Sequence, residues 1–264
     1  MDPIAQFKEN QRQGWATFAP IEVITGTAAP HLVRFAGIAS GQRVLDVACG
    51  TGVVALTAQR LGARVTGIDL TPELIAHAKE NAQTMRAEVE WHVGDAEALP
   101  MGDASFDVVV SQFGHMFAPR PEVVVREMLR VLKPGGVIAF STWPPELYIG
   151  RMFDITSKYA PALPAGISPP PEWGDPNVVR ERLGTHVKEL TFDRRRMLFP
   201  TLSPAHYVAS MERDVGPVRK LVAMLQSDAP KLAAFRREVE TLAASFFEDN
   251  VVRQDFLMTR AVKA

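Results

Sequence analysis

The stretch Val44–Leu70, VLDVACGTGVVALTAQRLGARVTGIDL, constrains the fold more than any other part of the chain. It runs apolar strand, glycine-rich turn, helical spacing, second apolar strand, acid. Glycine permits a sharp turn and a close approach of backbone to a ligand. A helix that starts at such a turn presents free N–H groups and a partial positive charge. Those features suit a pyrophosphate, and they equally suit the carboxylate of an amino-acid ligand. The pattern Gly50-x-Gly52-x-x-Ala55 alone does not choose between them.

The same alternation continues on both sides. Residues 3–40 read as helical, interrupted at Gly14, Pro20 and Pro30, with Trp15, Phe18, Leu32, Val33 and Phe35 on the apolar side. Strands are expected at 43–47, 64–69, 87–93, 106–111 and 137–142. Helices are expected at 53–62, closed by Gly62, at 71–83, opened by Thr71 and Pro72, and at 121–133, stopped by Pro134-Gly135-Gly136. Strands alternating with helices of this length predict an α/β fold, a parallel sheet covered on both faces. The strands are nearly continuous apolar runs, as burial on both faces requires.

The alternation stops after Trp143. Residues 161–176, PALPAGISPPPEWGDP, hold six prolines in sixteen positions, which excludes helix and central strand there. A long strand follows at 186–199, then helices near 203–214, 217–227 and 229–247, and a last strand at 254–263. The expected organisation is one domain over 1–264: an N-terminal helical lid (1–40), a binding core (41–142), and acceptor-side insertions with the C-terminal strands (143–264).

Bulk properties narrow the function. The formal net charge is −1, which provides no strong field for nucleic acid or an anionic membrane. The first residues, MDPIAQFKENQRQG, have no apolar core, so no signal peptide is expected, and no run of about 18 apolar residues suggests a bilayer span. The single cysteine, Cys49, excludes a disulfide framework and a multi-cysteine metal site. No metal is expected, and the location expected is the cytoplasm.

The discriminating feature is a series of acids at strand ends. Asp46 ends the first strand, four residues before Gly50. A carboxylate facing the turn repels a pyrophosphate and favours a cation such as the ammonium of S-adenosylmethionine (AdoMet). Asp69, at the end of the second strand, is placed to accept from both ribose hydroxyls. Asp95, after the third, is placed to accept from an adenine amino group, with Leu70, Ala96 and Leu99 as walls. Each acid also has a plain reading, as a helix cap or turn former.

The motifs VLDVACGTG, GIDLTPELI, GDAEALP, FDVVVSQFG and LRVLKPGG, in that order over roughly 40–142, resemble those of class I AdoMet-dependent methyltransferases. They are most similar to the type 11 branch, which includes ubiquinone- and menaquinone-biosynthesis C-methyltransferases. The resemblance implies a Rossmann-like, seven-stranded, mostly parallel sheet with an antiparallel last strand. It implies AdoMet as cofactor, held by Asp46, Ala48, Gly50, Thr51, Gly52, Asp69, Leu70, Asp95 and Ala96. Ala48 stands where that pattern often has glycine. Ser111 and Gln112 would touch the methionine part of AdoMet, and His115 is the nearest candidate base, a catalytic role set against a structural one.

Methyl transfer from a sulfonium is an in-line displacement, which needs alignment and dryness more than reactive side chains. The cofactor is therefore easier to read than the acceptor. The turn SQFG is unlike the NPPY- or DPPY-type turn of amide and adenine methylation, and no cysteine follows the fourth strand to serve as a nucleophile. The single cysteine argues against arsenite. A small, fairly apolar or aromatic acceptor remains, with no nucleic acid partner and a monomer or homodimer as the acting form. Two alternatives stay open at this level. One is an NAD(P)-dependent oxidoreductase, which lacks a Tyr-x-x-x-Lys pair here; the other is a non-catalytic AdoMet-binding regulatory protein. The run Asp193-Arg194-Arg195-Arg196 reads as charge that discourages edge pairing, or as a site for an anionic acceptor or a partner.

Overall fold

The structure is a computed structural model and describes residues 2–264. Helices α1 (Pro3–Trp15), α2 (Glu22–Thr25) and α3 (Ala29–Ala36) precede the sheet. The alternating half follows as β1 (Arg43–Val47), α4 (Val53–Gln59), β2 (Arg64–Asp69), α5 (Pro72–Met85), β3 (Val89–Val93), β4 (Phe106–Gln112), α6 (Pro121–Val131) and β5 (Leu132–Thr142). Then come α7 (Tyr148–Tyr159), α8 (Pro176–Leu183) and β6 (Val187–Pro200). The chain ends with α9 (Pro204–Asp214), α10 (Gly216–Leu225), α11 (Ala229–Ala244), β7 (Phe247–Glu248) and β8 (Val251–Lys263).

The strand order is β3-β2-β1-β4-β5-β8-β6. β1 pairs in parallel with β2 and β4, and β4 with β5, while β8 runs antiparallel between β5 and β6. The expected mostly parallel sheet with an antiparallel last strand is present. It carries one strand more than seven, because the two-residue β7 pairs with the start of β8. The order reverses between β1 and β4. The crossovers leave that point in opposite directions, so a crevice opens at the carboxyl ends of the strands, where ligands of open α/β sheets bind.

Several boundaries move for identifiable reasons. Helix α4 ends at Gln59 rather than at Gly62. Gly62 lies beyond it with φ +84°, pressed against Ser40, where a Cβ would come within 2.6 Å of the Ser40 hydroxyl oxygen. Thr71 does occupy the N-cap of α5, but its side chain caps nothing; Asp69 accepts from its N–H instead, at 2.8 Å. Pro134-Gly135-Gly136 does not precede β5 but forms an irregularity within it, where the pairing jumps from Phe106 with Leu132 to Val108 with Val137.

The insertions are more ordered than the proline content suggests. Proline stands at the first or second position of α8, as it does in α1, α3, α5, α6, α9, α10 and α11. At that position its missing N–H has no partner to lose. Helix α7 was not expected; it packs with α9, α10 and α11 around a second apolar core containing Tyr148, Met152, Phe199, Tyr207 and Phe235. The main core lies on both faces of the sheet. No helix among the described residues is long and apolar enough to cross a membrane.

Candidate functional site

At the tip of β1 the backbone turns through three left-handed residues, Ala48 (φ 54°), Gly50 (φ 56°) and Gly52 (φ 85°). A Cβ on Gly50 would meet nothing within 4 Å, so this part of the turn faces open space. Gly52 differs: a Cβ there would come 2.5 Å from the Trp91 ring, as would one on Gly67. Trp91 thus lies across two glycines and fixes the underside of the turn. Thr51 is buried, and its carbonyl accepts from Asn81 at 3.2 Å. Cys49 is buried beneath the turn, which pushes its thiol well above the usual range and leaves it a filler.

The two acids at the strand ends hold this turn. Asp46 Oδ2 accepts from the N–H of Ala55 in the first turn of α4, at 3.0 Å. Its Oδ1 is buried and has no hydrogen-bond partner among the described residues. Burial, with the charge of Asp69 adding to it, raises the Asp46 carboxyl to about 8. Asp69 accepts from Gly50 N–H at 2.9 Å and from Thr71 N–H at 2.8 Å. Burial raises its carboxyl, and those two N–H groups hold it back. Two buried carboxyls therefore lie side by side, and neither forms an ion pair among the described residues. A buried carboxyl oxygen without a donor suits a cationic ligand, whose charge would favour the ionised form.

The third acid is engaged differently. Asp95 Oδ1 accepts from Glu97 N–H at 2.9 Å, and Oδ2 is 2.6 Å from Lys8 Nζ on α1. Lys8 also reaches Glu97 Oε2 at 2.6 Å. Arg120 grips the same carboxylate through Nη2 at 2.7 Å and through its backbone N–H at 2.7 Å. Helix α1 thus lies along the rim of the crevice, and its end packs by Trp15 against Phe117, with ring centroids 4.8 Å apart. Leu70 and Ala96 are half-buried beside Asp95, and Leu99 is buried.

Ser111, Gln112 and His115 stand at or just after the tip of β4. The Ser111 hydroxyl donates to Val47 carbonyl at 2.7 Å and accepts from His115 N–H at 3.1 Å. It braces β1 against the turn after β4, and its one proton is spent there. Gln112 Nε2 donates to the Thr25 carbonyl of α2 at 2.9 Å, while its Oε1 is buried without a partner among the described residues. His115 is 1% exposed. Its ring packs against Phe140 at 4.6 Å and Trp173 at 4.7 Å, and neither nitrogen has a hydrogen-bond partner among the described residues. Burial, with Arg182 nearby, lowers it to about 3. This burial and weak basicity favour the structural reading of His115 over that of a base.

A family profile described as a methyltransferase domain matches residues 45–140. An uncharacterized protein of Mycobacterium tuberculosis is 34% identical over 243 residues, 92% of this chain and 89% of that protein. The ubiquinone/menaquinone biosynthesis C-methyltransferase UbiE of Rubrivivax gelatinosus is 39% identical over 146 residues, 54% of this chain and 56% of that protein. A putative methyltransferase from Bacillus halodurans has the same fold, with TM-score 0.59 and 21% identity over 90% of this chain and 99% of that one. This chain belongs to the class I AdoMet-dependent methyltransferases.

The methyltransferase thus brings together Asp46, Ala48, Gly50, Thr51, Gly52 and Asp69 in one turn, with Asp95 and Ala96 on its rim. The site suits AdoMet chemically: paired carboxyls without a counter-ion, and a backbone turn open at Gly50. Sequence reasoning missed Lys8, Glu97, Arg120 and Trp91. Glu97 lies inside the quoted motif GDAEALP, and an acid set among apolar neighbours is the signal that would have demanded a cation. Its partners are 89 and 23 residues away and carry no local mark.

Proposed function

We propose that this methyltransferase moves the methyl group of AdoMet to a small-molecule acceptor, as a cytoplasmic monomer or homodimer. The observation that carries this reading is the buried, unpartnered Oδ1 of Asp46 beside the second uncompensated carboxyl, Asp69. In this assignment Asp46 takes the ammonium of AdoMet, and the open backbone at Gly50 faces its carboxylate. Asp69 accepts from the ribose hydroxyls and Asp95 from the adenine amino group. Leu70, Ala96 and Leu99 wall the base. Ala48, Thr51 and Gly52 shape the turn, Ser111 braces it, and Gln112 offers Oε1 near the methionine part.

AdoMet when bound supplies an electrophilic methyl on a sulfonium. The chain's own contribution is to hold, align and keep dry. His115 has no part in proton transfer in this scheme, so the acceptor's nucleophile loses its proton to water or needs no deprotonation.

The test is calorimetry with AdoMet on the full chain and on Asp69→Ala. Loss of detectable binding in the variant is expected, and near-normal affinity would refute the site. Incubation with methyl-labelled AdoMet and a metabolite extract should then give a labelled product. Binding without any labelled product would make the chain a non-catalytic AdoMet binder.

A further inference from the structure

Resting on that reading, we infer that the acceptor carries a terminal oxyanion, a carboxylate or a phosphate, which docks in a basic groove between α3 and β6. Two adjoining cavities, of about 510 Å³ and 290 Å³, open there and share His31 and Arg195. The larger is also lined by Leu147, Arg194, Arg196 and Asp255, the smaller by Arg34, Phe35, Asp193 and Met258. The larger volume falls within the range of small-molecule clefts.

The cations outnumber what the local acids can hold. Arg194 pairs with Glu146, Arg195 with Asp193 at 2.7 Å, and Arg196 with Asp255 at 3.3 Å. Asp255 is also claimed by Arg253 at 3.1 Å. Arg34 forms no ion pair, and neither Arg34 nor His31 makes a side-chain hydrogen bond, among the described residues. The three triplet arginines are roughly half exposed, and exposed pairs of this kind are weak. A ligand oxyanion can therefore take over their donors, and guanidinium is the group best shaped to grip one through two bonds. A row of charges meant only to discourage edge pairing needs no cavity beside it and no additional arginine on the facing helix.

The groove is also in the right place. Gln112, Ser141, Met258 and Asp193 lie in register across β4, β5, β8 and β6. Three strand spacings put Asp193 about 14 Å from Gln112. Between the two ends, near the carboxyl edge, the strip is aromatic. Phe113 stacks on Trp143 with centroids 3.9 Å apart, and Phe256 meets Phe113 edge-on at 5.3 Å. Phe256 is in turn the register partner of Arg195. Phe113 follows directly on β4 and holds a left-handed backbone, φ 60°. A non-glycine residue in that region costs energy, so the ring's position is strongly determined by its surroundings. Phe113, Trp143 and Phe256 are themselves buried and form the packed floor under this strip, while Leu147 and Phe35 supply apolar wall to the groove itself.

The experiment uses the full chain at low ionic strength, where surface charge is least screened. Calorimetric titrations with inorganic pyrophosphate and, separately, with citrate are run with AdoMet already saturating. Saturable binding of at least one is expected, and the tighter anion identifies the phosphate or the carboxylate source. The double variant Arg194→Gln/Arg195→Gln should weaken it at least tenfold, and Arg34→Gln severalfold, with AdoMet affinity unchanged in each. No saturable binding of either anion overturns the proposal. So does binding that the variants leave intact, or binding that appears only without AdoMet, which places the anion in the glycine turn. The labelled product from the metabolite extract should be retained on an anion exchanger; an exclusively neutral or cationic product also overturns it. Failure of the wild-type protein to bind AdoMet defeats the methyltransferase reading itself and is a separate result.

Discussion

The Cβ of Ala48 occupies the space directly over Gly114: a side chain on Gly114 would begin 2.5 Å from it and 2.7 Å from the Ala48 carbonyl oxygen. The tips of β1 and β4 therefore touch through the one position in the turn that departs from the common glycine. Ala48 also holds φ 54°, a region unfavourable to a residue with a Cβ. Ala48→Gly should remove that strain and stabilise the protein by about 0.5–1 kcal/mol, the gain being reduced by glycine's greater freedom when unfolded. For a chain of this size the midpoint rises by roughly 2–4 °C per kcal/mol. Gly114→Ala should be strongly destabilising. The double variant should recover only part of that loss, because the carbonyl at 2.7 Å remains. Thermal melts of the three variants decide the matter.

Asp46 makes the ligand-free protein sensitive to pH in a defined sense. Its carboxyl is raised to about 8 in the folded chain, against about 3.9 when unfolded. Between those values the folded state binds the extra proton. Its stability contribution is fully present below pH 4 and is lost as pH rises toward 8, by at most about 1.4 kcal/mol per pH unit for one proton. Asp46→Asn should flatten this part of the stability profile in denaturant titrations. AdoMet binding at pH 6.5 should release a proton from Asp46, because the ammonium favours the ionised form. Calorimetry in two buffers of different ionisation enthalpy should report that release for the wild type and lose it in the variant.

Much of the crevice was legible because it follows from local rules. Parallel strands buried on both faces must be apolar runs, so β1, β2 and β4 announce themselves. The acids that end β1 and β2 are conspicuous for the same reason. What escaped was tertiary. Helix α7 follows Pro144 and Pro145 and precedes a proline-rich loop, so its punctuation read as irregular, although its apolar face built a second core with α9 and α11. Prolines in this chain mark helix starts more often than they forbid helices. The partner of Asp95 was invisible because Lys8 sits on a polar helix 87 residues earlier. The enclosure of His115 depends on Trp173, which the same proline-rich segment delivers.

Lys8 ties α1 to the acids of the rim. Its Nζ lies 2.6 Å from both Asp95 and Glu97, and its side chain is only 17% exposed. Arg120 still satisfies Glu97 when Lys8 is gone. Lys8→Met should therefore cost only about 1 kcal/mol of global stability. Its visible effect should be local. Amide exchange over residues 3–15 should accelerate severalfold relative to wild type, with α4 and α5 unchanged. Equal exchange in the two proteins would mean that α1 is held by Trp15 and the contacts of its last turn, and not by the ion pair.

His115 offers the sharpest contrast between a pattern and its setting. A histidine after β4 invites the role of base, yet both its nitrogens are buried without partners and its pKa falls to about 3. An unsatisfied polar group in such a site is a cost, and an apolar side chain of similar size removes that cost. His115→Leu should therefore leave stability unchanged or raise it slightly, and turnover should stay within about threefold of wild type, far from the 100-fold or greater loss expected for a true general base. The wild-type pH–rate profile should show no limb that the variant abolishes. A loss of 100-fold with AdoMet affinity intact, together with disappearance of such a limb, would restore His115 to catalysis and require the Trp173 segment to open during turnover.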